Sequence, residues 1–380
     1  MPLPEPTPDA RAHSERVAGR VREEIAASGW ISFARYMEIA LYAPGLGYYS
    51  AGAKKLGKAG DFVTAPEISP LYGQTLARQV LQVLQGGYEE VLEVGAGSGA
   101  LAATLLEELE RSGNLPRNYF ILELSADLRE RSRDTLAERV PHLLERVAWL
   151  NRLPPAFSGV VLGNEVLDAM PVHVVRVNGG KLEEGGVGVR GGRLDWSWRI
   201  ASGEVLAAAS ALELAEGFRT EVALAARAFV RSLADILERG VALFVDYGFP
   251  RKEYYHAQRS EGTLMCHYRH HAHADPFFLP GLQDITSHVD FSAVAAAARE
   301  GGLELAGYTS QAQFLVNCGI TEVMARTPAE DRSAFLPLAN QANRLMSPAE
   351  MGELFKVIAL SRGFSAPLVG LTEGDRRQAL

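Results

Sequence analysis

The sequence predicts an α/β fold: a doubly wound parallel sheet covered by helices on both faces. Three observations carry this expectation. Short, mainly apolar runs recur at Val91–Val94, Tyr119–Leu124, Val160–Gly163 and Gly240–Tyr247. Helical stretches, Ala100–Arg111 and Ala126–Val140, alternate with the first of these runs. A glycine-rich turn, Glu93-Val94-Gly95-Ala96-Gly97-Ser98-Gly99, joins the first run to the first helix. Strands without polar alternation are buried on both faces, and parallel sheets achieve that through helical crossovers. Alternation of such strands with helices is the pattern of the doubly wound class.

The other elements follow in chain order. Residues 1–12 read as a disordered tail. Val17, Val21 and Ile25 recur at helical spacing within Ser14–Ser28, and Gly29 can end that helix. Ser32–Ala40 is a second short helix, Ala43–Tyr49 is turn-rich, and Lys54–Gly60 is a basic, glycine-containing loop. Ser69 caps a helix reaching about Leu84, with Pro70 in its first turn. Val147–Leu150 is a further short strand. Val172–Ile200 alternates around two glycine pairs, Gly179-Gly180 and Gly191-Gly192, which suit hairpin turns. A long helix is expected from about Arg219 to Arg239. Residues 250–290 are rich in aromatic residues and histidine, with little periodicity; a loop of that length is usually functional. A helix (Ser292–Glu300), a strand (Leu303–Tyr308), more helices and a last strand (Phe355–Ser361) complete the chain. The expected organisation is an N-terminal helical extension with the segment leading into the first strand (1–86), a core (87–171, 219–249 and 291–380), a β insertion (172–218) and a loop insertion (250–290).

Composition limits the function classes. With 380 residues, 47% of them hydrophobic, the chain can bury a sizeable core. Its net charge of −8 and lack of a Lys/Arg block argue against a nucleic-acid binder, but leave a protein substrate open. Two cysteines cannot build a disulfide framework or a cysteine-based zinc site, and they fit a reducing compartment. Met1–Ala10 lacks the apolar core of a signal peptide, and no run approaches 18 uncharged apolar residues. The expectation is therefore a cytoplasmic protein without membrane insertion.

The glycine turn is the first functional candidate. Glycines at a strand-to-helix junction allow a tight turn and let a ligand approach the backbone, where unpaired helix N–H groups favour negative charge. Such a turn suits a dinucleotide pyrophosphate or the carboxylate of S-adenosylmethionine. Gly95-Ala96-Gly97-Ser98-Gly99-Ala100 satisfies the dinucleotide spacing too, and Glu123 at the end of the next strand suits a ribose diol in either case. The spacing alone leaves both ligands open, beside a purely structural turn. Three details lean towards the methyl donor: Glu93 two residues before the first glycine, Gly99 inside the turn, and the polar tip Gly163-Asn164-Glu165 at the same sheet edge.

Six ordered segments then carry a resemblance: Gly60–Ser69, Leu92–Gly99, Glu123–Ser125, Gly163–Pro171, Asp246–Gly248 and Gln283–Asp290. Over about Ser32 to Leu360 the chain resembles the MidA-like class I methyltransferases, whose mitochondrial members assist respiratory complex I assembly. The resemblance implies a Rossmann-like class I methyltransferase sheet and S-adenosylmethionine as donor. It also implies protein arginine methylation, in the mitochondrial branch of a complex I subunit. The donor-site residues so implied or read from the turn are Thr64, Pro66, Glu67, Ser69, Glu93, Gly95, Gly97, Gly99, Glu123, Leu124 and Asn164, with Asp61 in the covering segment. A protein substrate and a second copy of the chain in a homodimer are the expected partners.

Methyl transfer is an in-line displacement, so the protein chiefly positions two reactants and excludes water. A protonated, planar guanidinium acceptor calls for carboxylates that hold it. Glu165 and Asp168 are the candidates, with Asn164 beside them; if a helix starts here, a spacing of three puts both acids on one side. The alternative is that Asn164 and Asp168 cap a helix start. His267, His270, His271 and His273 cluster with Asp275, but without the spacing of a known closed site, so no metal is expected. Tyr268, Arg269 and some of these histidines are expected to line the acceptor cleft or pack on the insert. Asp284, His288 and Asp290 either orient a substrate or cap the helix near Phe291, and Asp246 is structural or borders the acceptor. Two rivals remain at this level: an NAD-dependent oxidoreductase using the same turn, and a non-catalytic assembly factor.

Overall fold

The computed structural model describes residues 3–51 and 63–380. The basic loop Lys54–Gly60 and the Gly60-Asp61-Phe62 start of the first matching segment lie outside the described residues. The chain divides into two compact units, one of Met1–Phe62, Leu167–Ala228 and Phe249–Asp290, the other of Val63–Val166, Phe229–Gly248 and Phe291–Leu380. The helix Pro70–Gln85, which sequence placed in the N-terminal extension, belongs to the second unit.

The second unit is built on a seven-strand path, numbered here in chain order as β1 (Glu90–Val94), β2 (Asn118–Leu122), β3 (Val147–Leu150), β4 (Phe157–Asn164), β5 (Leu237–Phe249), β6 (Glu304–Ser310) and β7 (Phe355–Arg362). Their spatial order is β6-β7-β5-β4-β1-β2-β3. The five strands from β5 to β3 pair in parallel, whereas β7 is antiparallel to both β5 and β6. The strands from which the parallel sheet was expected are parallel, and the C-terminal strands β6 and β7 make the whole sheet mixed. β7 is interior and buried from Phe355 to Ser361, with an apolar centre Val357–Leu360, and a strand buried on both faces does not reveal its direction by its composition. Neighbouring residues Val91 and Leu92, Val160 and Val161, and Leu243 and Phe244 are all buried, which places side chains on both faces in a core. On one face, Leu71, Leu76 and Val80 of helix Pro70–Gln85 and Leu101, Leu105 and Leu109 of helix Ala100–Arg111 pack with Val91, Val160 and Leu243. Each such buried aliphatic side chain contributes about 1.5–3 kcal/mol.

The strand order reverses between β1 and β4. Their C-terminal ends, Val94 and Asn164, therefore flank the switch point at which open α/β sheets bind ligands.

The first unit contains helix Pro8–Ser28 where sequence read a tail to residue 12. The Thr7 hydroxyl accepts from the Ala10 N–H at 3.2 Å and Pro8 occupies the first turn, so a cap begins the helix earlier than its apolar spacing does. A five-stranded sheet comprises Ile31–Ser32, Lys181–Arg190, His173–Asn178, Arg219–Val222 and Arg193–Ile200. Both hairpins turn on glycine pairs with positive φ, Gly179-Gly180 (60° and 70°) and Gly191-Gly192 (56° and 79°). Arg219–Val222 is a strand here, and the helix expected from Arg219 begins only at Leu224. Pairing with His173–Arg176 overrides the helical spacing, and buried Glu221 accepts from the Thr263 N–H. Within 250–290 a small sheet forms from Met265–Tyr268, His271–His273 and Asp284–Thr286. The core of this unit gathers Val17, Phe33, Tyr36, Val172, Val187, Cys266 and Ile285.

Candidate functional site

The site is assembled at the carboxyl edge of β1, β2 and β4. Gly95, Gly97 and Gly99 all take positive φ, 68°, 56° and 81°, a region that favours glycine. Gly99 is the N-cap of helix Ala100–Arg111, and a Cβ there would lie 2.9 Å from Ser132 Cα. Backbone of the helix Ala126–Arg139 therefore approaches the turn as closely as a missing side chain permits. A Gly99→Ala variant should lose about 2 kcal/mol through strain and this clash. Urea unfolding checks it, and an unchanged midpoint would show that the turn relaxes freely.

Glu123 follows β2 and is only 7% exposed. Its carboxylate accepts the Ser125 N–H at 2.9 Å and is also hydrogen-bonded by the backbone N–H groups of Gly97 and Leu124. Burial raises its pKa, and these backbone donors oppose the rise. The acid thus ties the end of β2 to the glycine turn. Leu124, next in the chain, is 72% exposed and lines an open groove with Ala126, Arg129, Glu130, Arg133 and Asp134. A buried acid beside an exposed apolar side chain suits a sugar carrying a flat base. Replacing Glu123 with alanine should weaken binding of S-adenosylhomocysteine at least tenfold while the chain stays folded. Calorimetry measures this, and unchanged affinity would remove Glu123 from the donor site.

Glu93 lies deeper. Its carboxylate accepts the Tyr119 hydroxyl at 2.6 Å. Burial pushes its pKa to about 7, the Tyr119 hydrogen bond opposes the rise, and the charge of Glu123 adds to it. In this structure the Glu93 side chain ties β1 to β2 from inside the sheet.

The segment leading into helix Pro70–Gln85 reaches the same edge. Thr64 precedes the short helix Ala65–Ile68 without a side-chain cap bond, and Pro66 lies in its first turn. The Ser98 hydroxyl of the glycine turn donates to Glu67 Oε1. The Ala65 N–H donates to Glu165 Oε1 at 3.3 Å. Buried Ser69 accepts the Leu71 N–H at 3.2 Å, so its hydroxyl is occupied as a helix cap.

At the end of β4, the Asn164 amide donates from Nδ2 to Glu165 Oε1 at 3.0 Å. Glu165 has φ 53°, a left-handed conformation uncommon for a non-glycine residue. Its N–H donates to the Val245 carbonyl at 2.8 Å, and the Asp246 carboxylate holds the next N–H, of Val166, at 3.2 Å. No helix starts here, because the left-handed residue turns the chain out of the strand. The expected helical pairing of Glu165 with Asp168 is therefore corrected, and so is the alternative of a helix cap. Glu165 belongs to the second unit and Asp168 to the first. There Asp168 is buried, its carbonyl accepts the Ser287 N–H at 3.0 Å, and it lies with Asp284 near Tyr49.

The histidine-rich segment forms a hairpin through Arg269 and His270, whose φ values are 47° and 63°. Among the described residues no group of three or more His, Cys, Asp or Glu side chains could hold a metal ion. Burial lowers the pKa of His273.

Sequence reasoning missed Tyr72 and Tyr119 and left the role of Asp246 undecided. Tyr119 was detectable in principle, since a buried acid such as Glu93 demands a donor from a neighbouring strand. Tyr72 carries a weaker signal, because it shares the buried side of its helix with the polar Thr75 and Gln79 as well as with apolar residues.

Comparison with known proteins agrees with this geometry. Residues 75–309 match the family described as "Putative S-adenosyl-L-methionine-dependent methyltransferase". The mouse protein arginine methyltransferase NDUFAF7, mitochondrial, is 30% identical over 92% of this chain and 86% of its own. The Drosophila melanogaster homologue is 28% identical over 98% of this chain and 93% of its own. A Burkholderia thailandensis protein crystallised with S-adenosyl-homocysteine is 53% identical, covers both chains completely and superposes with a TM-score of 0.97. The residues present fit the donor: a turn of three left-handed glycines, with a buried acid at the end of the adjacent strand that its backbone helps to hold. The chain belongs to this family of S-adenosylmethionine-dependent methyltransferases and is an enzyme of the Rossmann-like class I fold.

Proposed function

We infer that the chain methylates an arginine side chain of a protein, and that Glu165 holds the acceptor guanidinium. The carrying observation is Glu165 itself, kept in a left-handed conformation at the end of β4, beside β1 and its glycine turn. The names of the mouse and fly relatives support arginine as the acceptor. Bound S-adenosylmethionine supplies an electrophilic sulfonium methyl group. The Glu165 carboxylate orients the planar, charged guanidinium by charge-assisted hydrogen bonds. As the N–CH3 bond forms and the S–CH3 bond breaks, the electron pair stays on sulfur, and the proton lost from the acceptor nitrogen leaves through the carboxylate to solvent. Ala65 N–H and the Asn164 amide keep that carboxylate in place.

The test uses S-adenosylmethionine labelled in its methyl group and a soluble cell lysate as the source of acceptors. Labelled protein is hydrolysed in acid and its amino acids separated. Label is expected in methylarginine. Label confined to lysine, to base-labile esters or to small molecules would overturn the arginine reading.

A further inference from the structure

The geometry points to Tyr72 as a positioning residue for methyl transfer, one that sets the direction of the Asn164 amide and through it the Glu165 carboxylate. Tyr72 lies in the first turn of helix Pro70–Gln85 and is 2% exposed. Its hydroxyl donates to Asn164 Oδ1 at 2.5 Å. The amide's other end, Nδ2, donates to Glu165 Oε1 at 3.0 Å, and the same oxygen accepts the Ala65 N–H. A primary amide has one accepting and one donating end. A hydroxyl that donates to the oxygen end therefore fixes which end meets the carboxylate. Were the amide turned over, its oxygen would face the Glu165 carboxylate, two acceptors in contact, and the acid would be repelled from its position.

The phenol must keep its proton to act this way. Burial raises the Tyr72 pKa well above its usual value, and the nearby charges of Glu165, Asp246 and Glu93 raise it further. It is therefore a permanent donor, and the other end of the amide is a permanent donor to Glu165. Ser69 caps the same helix one turn earlier, so the hydroxyl is delivered by a rigid element. The relay of hydroxyl, amide and carboxylate joins the helix to the end of β4.

This inference rests on the acceptor role proposed for Glu165, and a double-mutant cycle separates the two. Tyr72→Phe keeps the ring and removes the hydroxyl. With methyl-labelled S-adenosylmethionine and soluble lysate proteins, it should lower the initial labelling rate about tenfold, the effect of one oriented hydrogen bond. In a Glu165→Gln background the same substitution should change the rate less than twofold, because the group it positions has lost its charge. A structural role alone would lower both rates by the same factor, and that result overturns the inference. A full rate in Tyr72→Phe overturns it too. If Glu165→Gln leaves the rate intact, the acceptor role of Glu165 fails and the inference falls with it. A second measurement does not depend on turnover. The Asn164 side-chain amide protons, followed by NMR with ¹⁵N-asparagine, should exchange with water at least tenfold faster in Tyr72→Phe. Exchange unchanged from wild type would show that the hydroxyl does not hold the amide.

Discussion

Glu165→Gln should lower the methyl-transfer rate at least 100-fold while donor affinity stays within about twofold of wild type. Glutamine has almost the same shape and still offers an oxygen to the Ala65 N–H and the Asn164 amide, which now meet at Oε1. What is lost is the negative charge. A charge-assisted hydrogen bond to a guanidinium contributes about 1.5–3 kcal/mol, and the advantage grows where water is excluded. The rate is read as label transferred from methyl-labelled donor to protein, and affinity by calorimetry with S-adenosylhomocysteine. A variant that keeps more than about a third of the wild-type rate would mean that the acceptor is held elsewhere. Equal losses in rate and donor affinity would instead assign Glu165 to the donor site.

Glu93→Gln should stabilise the chain at pH 8 by about 3 kcal/mol more than it does at pH 4.5. The sign follows from proton binding. In the unfolded chain the carboxyl titrates at its usual value of 4.5, whereas in the folded chain it titrates at about 7. Between these values the folded state holds more protons, so stability falls as pH rises, and above about 7 the loss is complete. Glutamine carries no such penalty and can still accept the Tyr119 hydroxyl. Urea unfolding of both proteins across this range gives the difference, in which the other titrating groups cancel. A difference constant with pH would show that Glu93 is ionised without cost, despite being 3% exposed.

Much of this was legible in the sequence, for reasons specific to particular residues. Gly95, Gly97 and Gly99 announce their turn because positive φ leaves few other residues. Glu123 is legible because a strand end places an acid beside that turn. Glu165 was legible as an acid at the tip of its strand but not in its geometry. A left-handed glutamate has no sequence signature, so its spacing from Asp168 suggested a helix that does not exist. Arg219–Val222 was hidden because its partner strand, His173–Asn178, lies 40 residues away. Tyr72 was hidden because its hydroxyl matters only through Asn164, a contact 92 residues apart in sequence.

The position of β7 has a consequence for synthesis of the protein. When β5 has left the ribosome, the strand that will cover its open edge is still to be made. About 110 residues separate the end of β5 from the end of β7, and β6 cannot substitute because it pairs with β7 alone. At translation rates of about 5–20 residues per second, synthesis of that stretch takes roughly 6–22 s, during which the edge is bare. Its residues Val241 to Val245 are uniformly apolar, the composition that recruits a neighbouring nascent chain. The donor half of the sheet, β1 to β4 with its glycine turn, can be paired before then. The late edge is therefore where chaperone protection during translation would bear most on the yield of folded enzyme.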